Sequence, residues 1–134
     1  IHAFGARSFS IWNAATGALV HDSGDDLEQL TAGIDPARFN SDGTSASFDT
    51  RSDNKGPEPE AVAVGVIGGR TYAFVGLERF GGVLVFDVTD PTAPTFDSFL
   101  DTPGDVAPEG LIFIRAEDSP TGRAAVVVSN EVSG

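Results

Sequence analysis

The stretch Pro59-Glu60-Ala61-Val62-Ala63-Val64-Gly65-Val66-Ile67-Gly68-Gly69-Arg70-Thr71-Tyr72-Ala73-Phe74-Val75-Gly76-Leu77-Glu78 holds two apolar runs separated by a glycine pair and one arginine. Each run, Ala61 to Ile67 and Thr71 to Leu77, is strand-length and too short for a helix, and the glycine pair carries the chemistry of a tight hairpin turn. Two more runs follow, Val83 to Val88 after Gly81-Gly82, and a weaker Phe96 to Leu100 after Asp90-Pro91-Thr92-Ala93-Pro94. With turn residues at every junction, the sequence predicts a four-stranded antiparallel meander.

A second copy of this pattern begins and stops halfway. Pro108-Glu109-Gly110-Leu111-Ile112-Phe113-Ile114 answers Pro59-Glu60-Ala61-Val62-Ala63-Val64, and Gly122-Arg123 through Asn130-Glu131 answers Gly69-Arg70 through Leu77-Glu78. A longer hairpin, Ala116 to Thr121, accounts for the wider spacing of the second match. Upstream, Ser8 to Asn13 matches Gly82 to Asp87, and Leu19 to Asp22 fits the outer strand that should follow. A period near fifty residues built from four short strands is the signature of a propeller blade, which buries its faces only against neighbouring blades.

The fold class is therefore all-β, a β-propeller fragment of half a blade, one blade and half a blade. A single β-sandwich with similar hairpins is the competing reading. The expected divisions are residues 1–22, outer strands of a first blade; 23–59, an acidic loop insertion; 60–101, the complete blade; and 102–134, inner strands of a third. The partners expected on this reading are the remaining blades of a parent protein or another copy of the chain.

Composition narrows the function classes. Across 134 residues the formal net charge is −12, with twenty acidic against eight basic side chains and no cysteine. A nucleic-acid partner needs a positive field that this surface lacks, and cations or basic partners suit it better. Cysteine-based metal or redox chemistry is excluded. No run approaches the length needed to insert into a bilayer, and the missing initiator methionine predicts that the native N-terminus lies elsewhere.

The insertion is rich in Asp, Ser, Gly and Pro. Asp25 to Leu30 is expected to form a short helix, with Ser23 as cap and Gly33 as stop, and Asp35-Pro36 sets a capping aspartate before a first-turn proline. Asn40 to Pro59 has no apolar period and is expected to be a long loop.

The chain resembles the choice-of-anchor I family of β-propeller domains, whose members are often labelled alkaline phosphatase or mesenchyme-specific cell-surface glycoprotein-like. The resemblance rests on Gly5 to Trp12, Arg51 to Glu60, Tyr72 to Arg79, Val85 to Pro91, Pro108 to Leu111 and Ser129 to Gly134. It implies a longer domain of roughly seven blades, within the usual range of four to eight. It also implies an extracellular or cell-surface location on a bacterial protein.

Antiparallel pairing puts the start of a first strand beside the end of the second, so Glu60 should neighbour Glu78, and Glu109 should neighbour Glu131. Four crowded carboxylates need protons, cationic side chains or a hard cation such as calcium. The expected ligand-binding set is Glu60, Glu78, Arg79, Glu109, Asn130 and Glu131, with Asp53, Glu60 and Glu109 as metal ligands and calcium as the cofactor. In the alternative, Arg51, Lys55 and Arg79 pair these groups structurally.

The loop Asp49 to Gly56 offers acidic and amide oxygens but lacks the ligand spacing of an EF-hand. Asp87 and Asp90 have the character of turn formers, with Asn13 standing in the place of Asp87. His2 and His21 are isolated, and serine-nucleophile and paired-histidine motifs are absent. Trp12, Phe74, Phe86 and Phe113 are expected in the core between blades. The leading function is an extracellular ligand- or cation-binding scaffold; the alternative is part of a calcium-assisted, phosphatase-like hydrolase.

Overall fold

The computed structural model describes residues 7–101 and 103–133, and its architecture is the all-β arrangement the sequence predicts. A two-stranded sheet of β1 (Ser10–Trp12) and β2 (Leu19–Asp22) comes first. A helix α1 (Asp26–Ile34) and two short 3₁₀ turns, Pro36–Arg38 and Ser45–Ser47, lead to β3 (Pro59–Ile67). Strands β3, β4 (Arg70–Leu77), β5 (Val83–Asp87) and β6 (Thr95–Leu100) form a meander in chain order. Strands β7 (Pro108–Ile114) and β8 (Ala125–Asn130) make the last two-stranded sheet. All pairs are antiparallel.

The central strands of the meander, β4 and β5, are buried on both faces because they are apolar at consecutive positions, not alternate ones. This pattern belongs to a strand covered on both sides. On one face Ala63, Phe74, Val83 and Val85 pack with Leu111, Phe113, Val126 and Val128 of the last hairpin. On the other, Val75, Leu77, Leu84 and Phe86 pack with Leu27 and Leu30 of the helix, Phe80, and Phe9 of the first hairpin. The turn Gly68-Gly69 has positive φ at both residues, 59° and 81°, a conformation that β-branched side chains would strain.

Three expectations need correction. Ser23 does not cap the helix: its hydroxyl accepts the Phe9 amide at 3.0 Å, tying the first hairpin to the helix start, and Asp25 occupies the cap position. Gly33 does not stop the helix, which runs through to Ile34. Trp12 is not core but 59% exposed, because it lies on the face of β1 opposite Phe9 and Ile11.

Other local readings match. Asp35 accepts the Ala37 amide at the start of the 3₁₀ turn, and Asp87, Asp90 and Asn13 each accept amides two residues on. His2 lies outside the described residues. His21 is half-buried beside the Phe9 ring.

Candidate functional site

A β-bulge builds the site. Pro59 pairs with Leu77 and Ala61 with Gly76, so Glu60 is an extra residue with no partner of its own. Bulges of this kind re-aim a side chain at a sheet end. Just before it, Glu58 has φ of 56°, in the left-handed region, and its carbonyl accepts the Glu78 amide at 2.9 Å. Glu58, Glu60 and Glu78 therefore meet, each offering a carboxylate oxygen within 4.8 Å of the others.

The insertion supplies two of the counter-charges, Arg51 and Lys55, and Arg79, just after β4, the third. Arg51 donates to Glu58 at 2.7 Å, Lys55 also donates to it, and Arg79 reaches it through Nε at 2.9 Å. Burial alone would raise Glu58, which is 3% exposed, but the hydrogen bonds from Lys55 and Arg79 outweigh it and hold the carboxyl below its ordinary range. Lys55 is raised in turn by its bond to Glu58. Arg79 also lies 2.7 Å from Glu78 and 3.6 Å from Asp42, so one guanidinium serves three carboxylates.

Glu78 is the group left short of positive charge. Burial pushes it up to about 7; the charges of Glu58 and Glu60 and a hydrogen bond with Glu60 add to this, against the downward pull of Arg79. The close Arg79 contact and the raised value are compatible because Arg79 is already engaged by Glu58. Carboxylates Glu58, Glu60, Glu78 and Asp42 face Arg51, Lys55 and Arg79, and a proton on Glu78 balances the set.

The loop carrying Arg51 and Lys55 is held from below. Arg7 donates to Glu28 at 2.6 Å and to the carbonyls of Ser52 and Asn54, while buried Asn40 donates to Glu28 at 2.7 Å and to the Ser52 hydroxyl at 2.9 Å. Gly56, with φ of 61°, packs against this cluster.

The last hairpin repeats the backbone of the site but not its chemistry. Ala107 has φ of 63°, Pro108 pairs with Asn130 and Gly110 with Ser129, leaving Glu109 as the bulged residue, and the Glu131 amide donates to the Ala107 carbonyl at 2.8 Å. The Pro108 carbonyl sits against Gly76, so both bulges lie at the same side of the stacked sheets. Ala107 stands where the first copy has Glu58, and among the described residues no hub of cations forms around it. Among the described residues Glu109 and Glu131 are exposed and have no cationic side chain within ion-pair distance; Asn130 is half-buried in the ladder.

Of the expected residues, then, Glu60, Glu78 and Arg79 come together, whereas Glu109, Asn130 and Glu131 stay with the neighbouring hairpin. Asp53 is exposed on the loop and lies outside the carboxylate cluster. The hub Glu58 was not anticipated. Its signal in the sequence is a charged difference between the repeats just before the strand, Glu58 in Pro57-Glu58-Pro59-Glu60 against Ala107 in Val106-Ala107-Pro108-Glu109.

Comparison with known proteins follows the same lines. The family model for the choice-of-anchor I domain matches residues 1–91. The chain is 31% identical to Gigasin-3a of Magallana gigas, an oyster, over all of this chain and 55% of that protein. It is 30% identical to the mesenchyme-specific cell surface glycoprotein of Strongylocentrotus purpuratus, a sea urchin, over 94% of this chain and 18% of that protein. The chain thus spans about half of the first relative's length and less of the second's. No solved structure matches it. Both relatives are animal proteins, which overturns the expectation of a bacterial one.

Proposed function

The chain belongs to the choice-of-anchor I domain family, and on that premise we propose that it is part of an extracellular or cell-surface domain that binds a hard divalent cation, calcium, at Glu58, Glu60 and Glu78. The surface location draws on the name of the sea urchin relative, a cell surface glycoprotein. The observation that carries the binding site is the meeting of three carboxylate oxygens within 4.8 Å, with Glu78 retaining its proton up to about pH 7.

Such a donor set is all hard oxygen, which fits calcium; water and backbone carbonyls complete its usual six to eight ligands. Glu60, partly exposed, with Lys55 at 3.9 Å and a hydrogen bond to Glu78 that ends when Glu78 gives up its proton, is the side chain that can turn to a cation at little cost. Glu78 becomes a ligand by giving up its proton, so binding strengthens as pH rises through 7. Glu58 keeps Arg51 and Arg79 on Oε2, which holds the bulge in shape, and offers the cation Oε1 once Lys55 releases it.

Thermal unfolding with calcium, magnesium or chelator tests the reading. Calcium at about a hundred times its Kd should stabilise the protein by about 2.7 kcal/mol, and Glu60→Gln and Glu78→Gln should lose most of that gain. An equal response from all three proteins would leave the cluster a structural ion-pair network.

A phosphatase-like hydrolase is the second reading, favoured by one observation. A buried carboxylic acid protonated near pH 7 is what a general acid requires. Chelator-sensitive turnover of phosphate esters, lost in Glu78→Gln, would favour it over simple binding.

A further inference from the structure

We propose that Lys55 is a tethered competitor at the carboxylate site: its ammonium holds the seat of the cation, and calcium binds only as that side chain swings out. The inference rests on the cation reading of Glu58, Glu60 and Glu78, and adds to it what sets the affinity of the site. Lys55 Nζ donates to Glu58 Oε1 and lies 3.9 Å from Glu60 Oε1. Both carboxylates belong to the group of three whose oxygens meet within 4.8 Å.

The residue type at this position is a second observation. Of the eight basic side chains in the sequence seven are arginine, and Lys55 is the one lysine. Arginine is a planar fork that keeps several bonds at once, whereas lysine carries a compact, strongly hydrated point charge on a flexible stem. One clamps; the other exchanges. Arg51 and Arg79 both donate to Glu58 Oε2, and Arg79 also reaches Glu78 and Asp42, so the arginines hold the carboxylates in place.

Lys55 can leave without the loop opening. Its side chain is 37% exposed, against 18% for Arg51 and 30% for Arg79, so of the three cations it stands nearest to water. The backbone around it is held independently: Arg7 donates to the Ser52 and Asn54 carbonyls, and the Asn54 and Gly56 amides donate to the Arg51 carbonyl at 3.1 and 2.9 Å. Rotation of the lysine stem between staggered rotamers therefore carries the ammonium from the carboxylates into solvent.

Charge demands the exchange. With every group ionised, Glu58, Glu60, Glu78 and Asp42 set four negative charges against the three positive charges of Arg51, Lys55 and Arg79. A divalent ion added to all seven leaves one positive charge in excess, and with Lys55 in water the set is neutral. An ammonium and a divalent ion on the same Glu58 oxygen would also repel across a few ångströms. The apparent affinity is then the intrinsic one scaled by the fraction of time the seat is open, so a seat open about one-tenth of the time binds about tenfold more weakly.

Calorimetric titration with calcium chloride reads the competition: Lys55→Gln should bind about tenfold more tightly than the parent protein. Acetylation by acetic anhydride reads the displacement in the parent protein itself, and so holds even if Lys55→Gln fails to fold. Peptide mapping separates the one lysine from the N-terminal amine. Lys55 should acetylate slowly in chelator and several-fold faster in calcium. A folded Lys55→Gln with the parent affinity, or an acetylation rate that calcium leaves unchanged while calorimetry shows binding, would overturn the proposal and leave the cation site standing. Absence of calcium binding in both proteins would overturn the cation site and Lys55's role with it.

Discussion

The Phe113 ring stacks on Phe74 of the neighbouring sheet, with centroids 5.8 Å apart and planes 18° from parallel. It can lie there because Gly65, beside Phe74 in the sheet face, has no side chain to meet the ring. Gly65→Ala should force Phe113 outward and cost about 1–3 kcal/mol in urea unfolding, the usual range for overpacking. Adding Phe113→Leu should recover part of that loss, because the two residues compete for one volume. Strictly additive costs would show that the ring does not depend on the glycine.

Glu58→Gln should destabilise the protein by about 3 kcal/mol, since removing one partner of a buried ion pair leaves the others uncompensated. Glu58 is met by Arg51, Lys55 and Arg79. The same change should lower the titration of Glu78, which loses a neighbouring negative charge and gains a less occupied Arg79. NMR titration of the Glu78 carboxyl checks it, and an unmoved or raised value would separate the two groups.

Why the strands were legible and the hub was not is a matter of period. Expected runs at 61–67, 71–77, 83–88 and 96–100 agree with β3 to β6 within two residues at every end, because apolar runs bounded by Gly-Gly and Asp-Pro leave the chain few options. The pairing of Glu60 beside Glu78 follows from antiparallel geometry alone. Glu58 follows from a left-handed backbone turn before the strand and from a loop that folds back through Arg7, Glu28 and Asn40, contacts that no local pattern encodes. Trp12 misled for a related reason: its alternation marks it as one face of a sheet, but alternation does not say whether that face is covered.

Arg7→Ala should release the loop without unfolding the sheets. Arg7 holds the Ser52 and Asn54 carbonyls and Glu28, all outside the strand core. Trypsin should then cleave after Arg51 and Lys55 faster by local opening, while amide exchange in β4 and β5 stays at its parent rate. Equal acceleration throughout would mean that Arg7 supports the whole fold.

The last expectation concerns pH. Glu78 titrates at about 7 in the folded protein against an ordinary value of 4.5. Below pH 4.5 both folded and unfolded chains hold the proton, and the group contributes nothing. Between 4.5 and 7 the unfolded chain loses the proton while the folded one keeps it, so stability falls as pH rises through this window and levels above 7. At about 1.4 kcal/mol per pH unit, the total reaches roughly 3 kcal/mol. Glu58, whose carboxyl is held low, acts in a different window: its contribution is complete above pH 4.5 and is lost only on acidification below it. The two slopes therefore do not mask each other. Glu78→Gln should abolish the fall between 4.5 and 7, gaining on the parent protein as pH rises, and calcium added above pH 7 should restore stability to the parent alone. Parallel pH profiles for the two proteins would mean that Glu78 ionises normally, and the cation site would lose the proton it is expected to exchange.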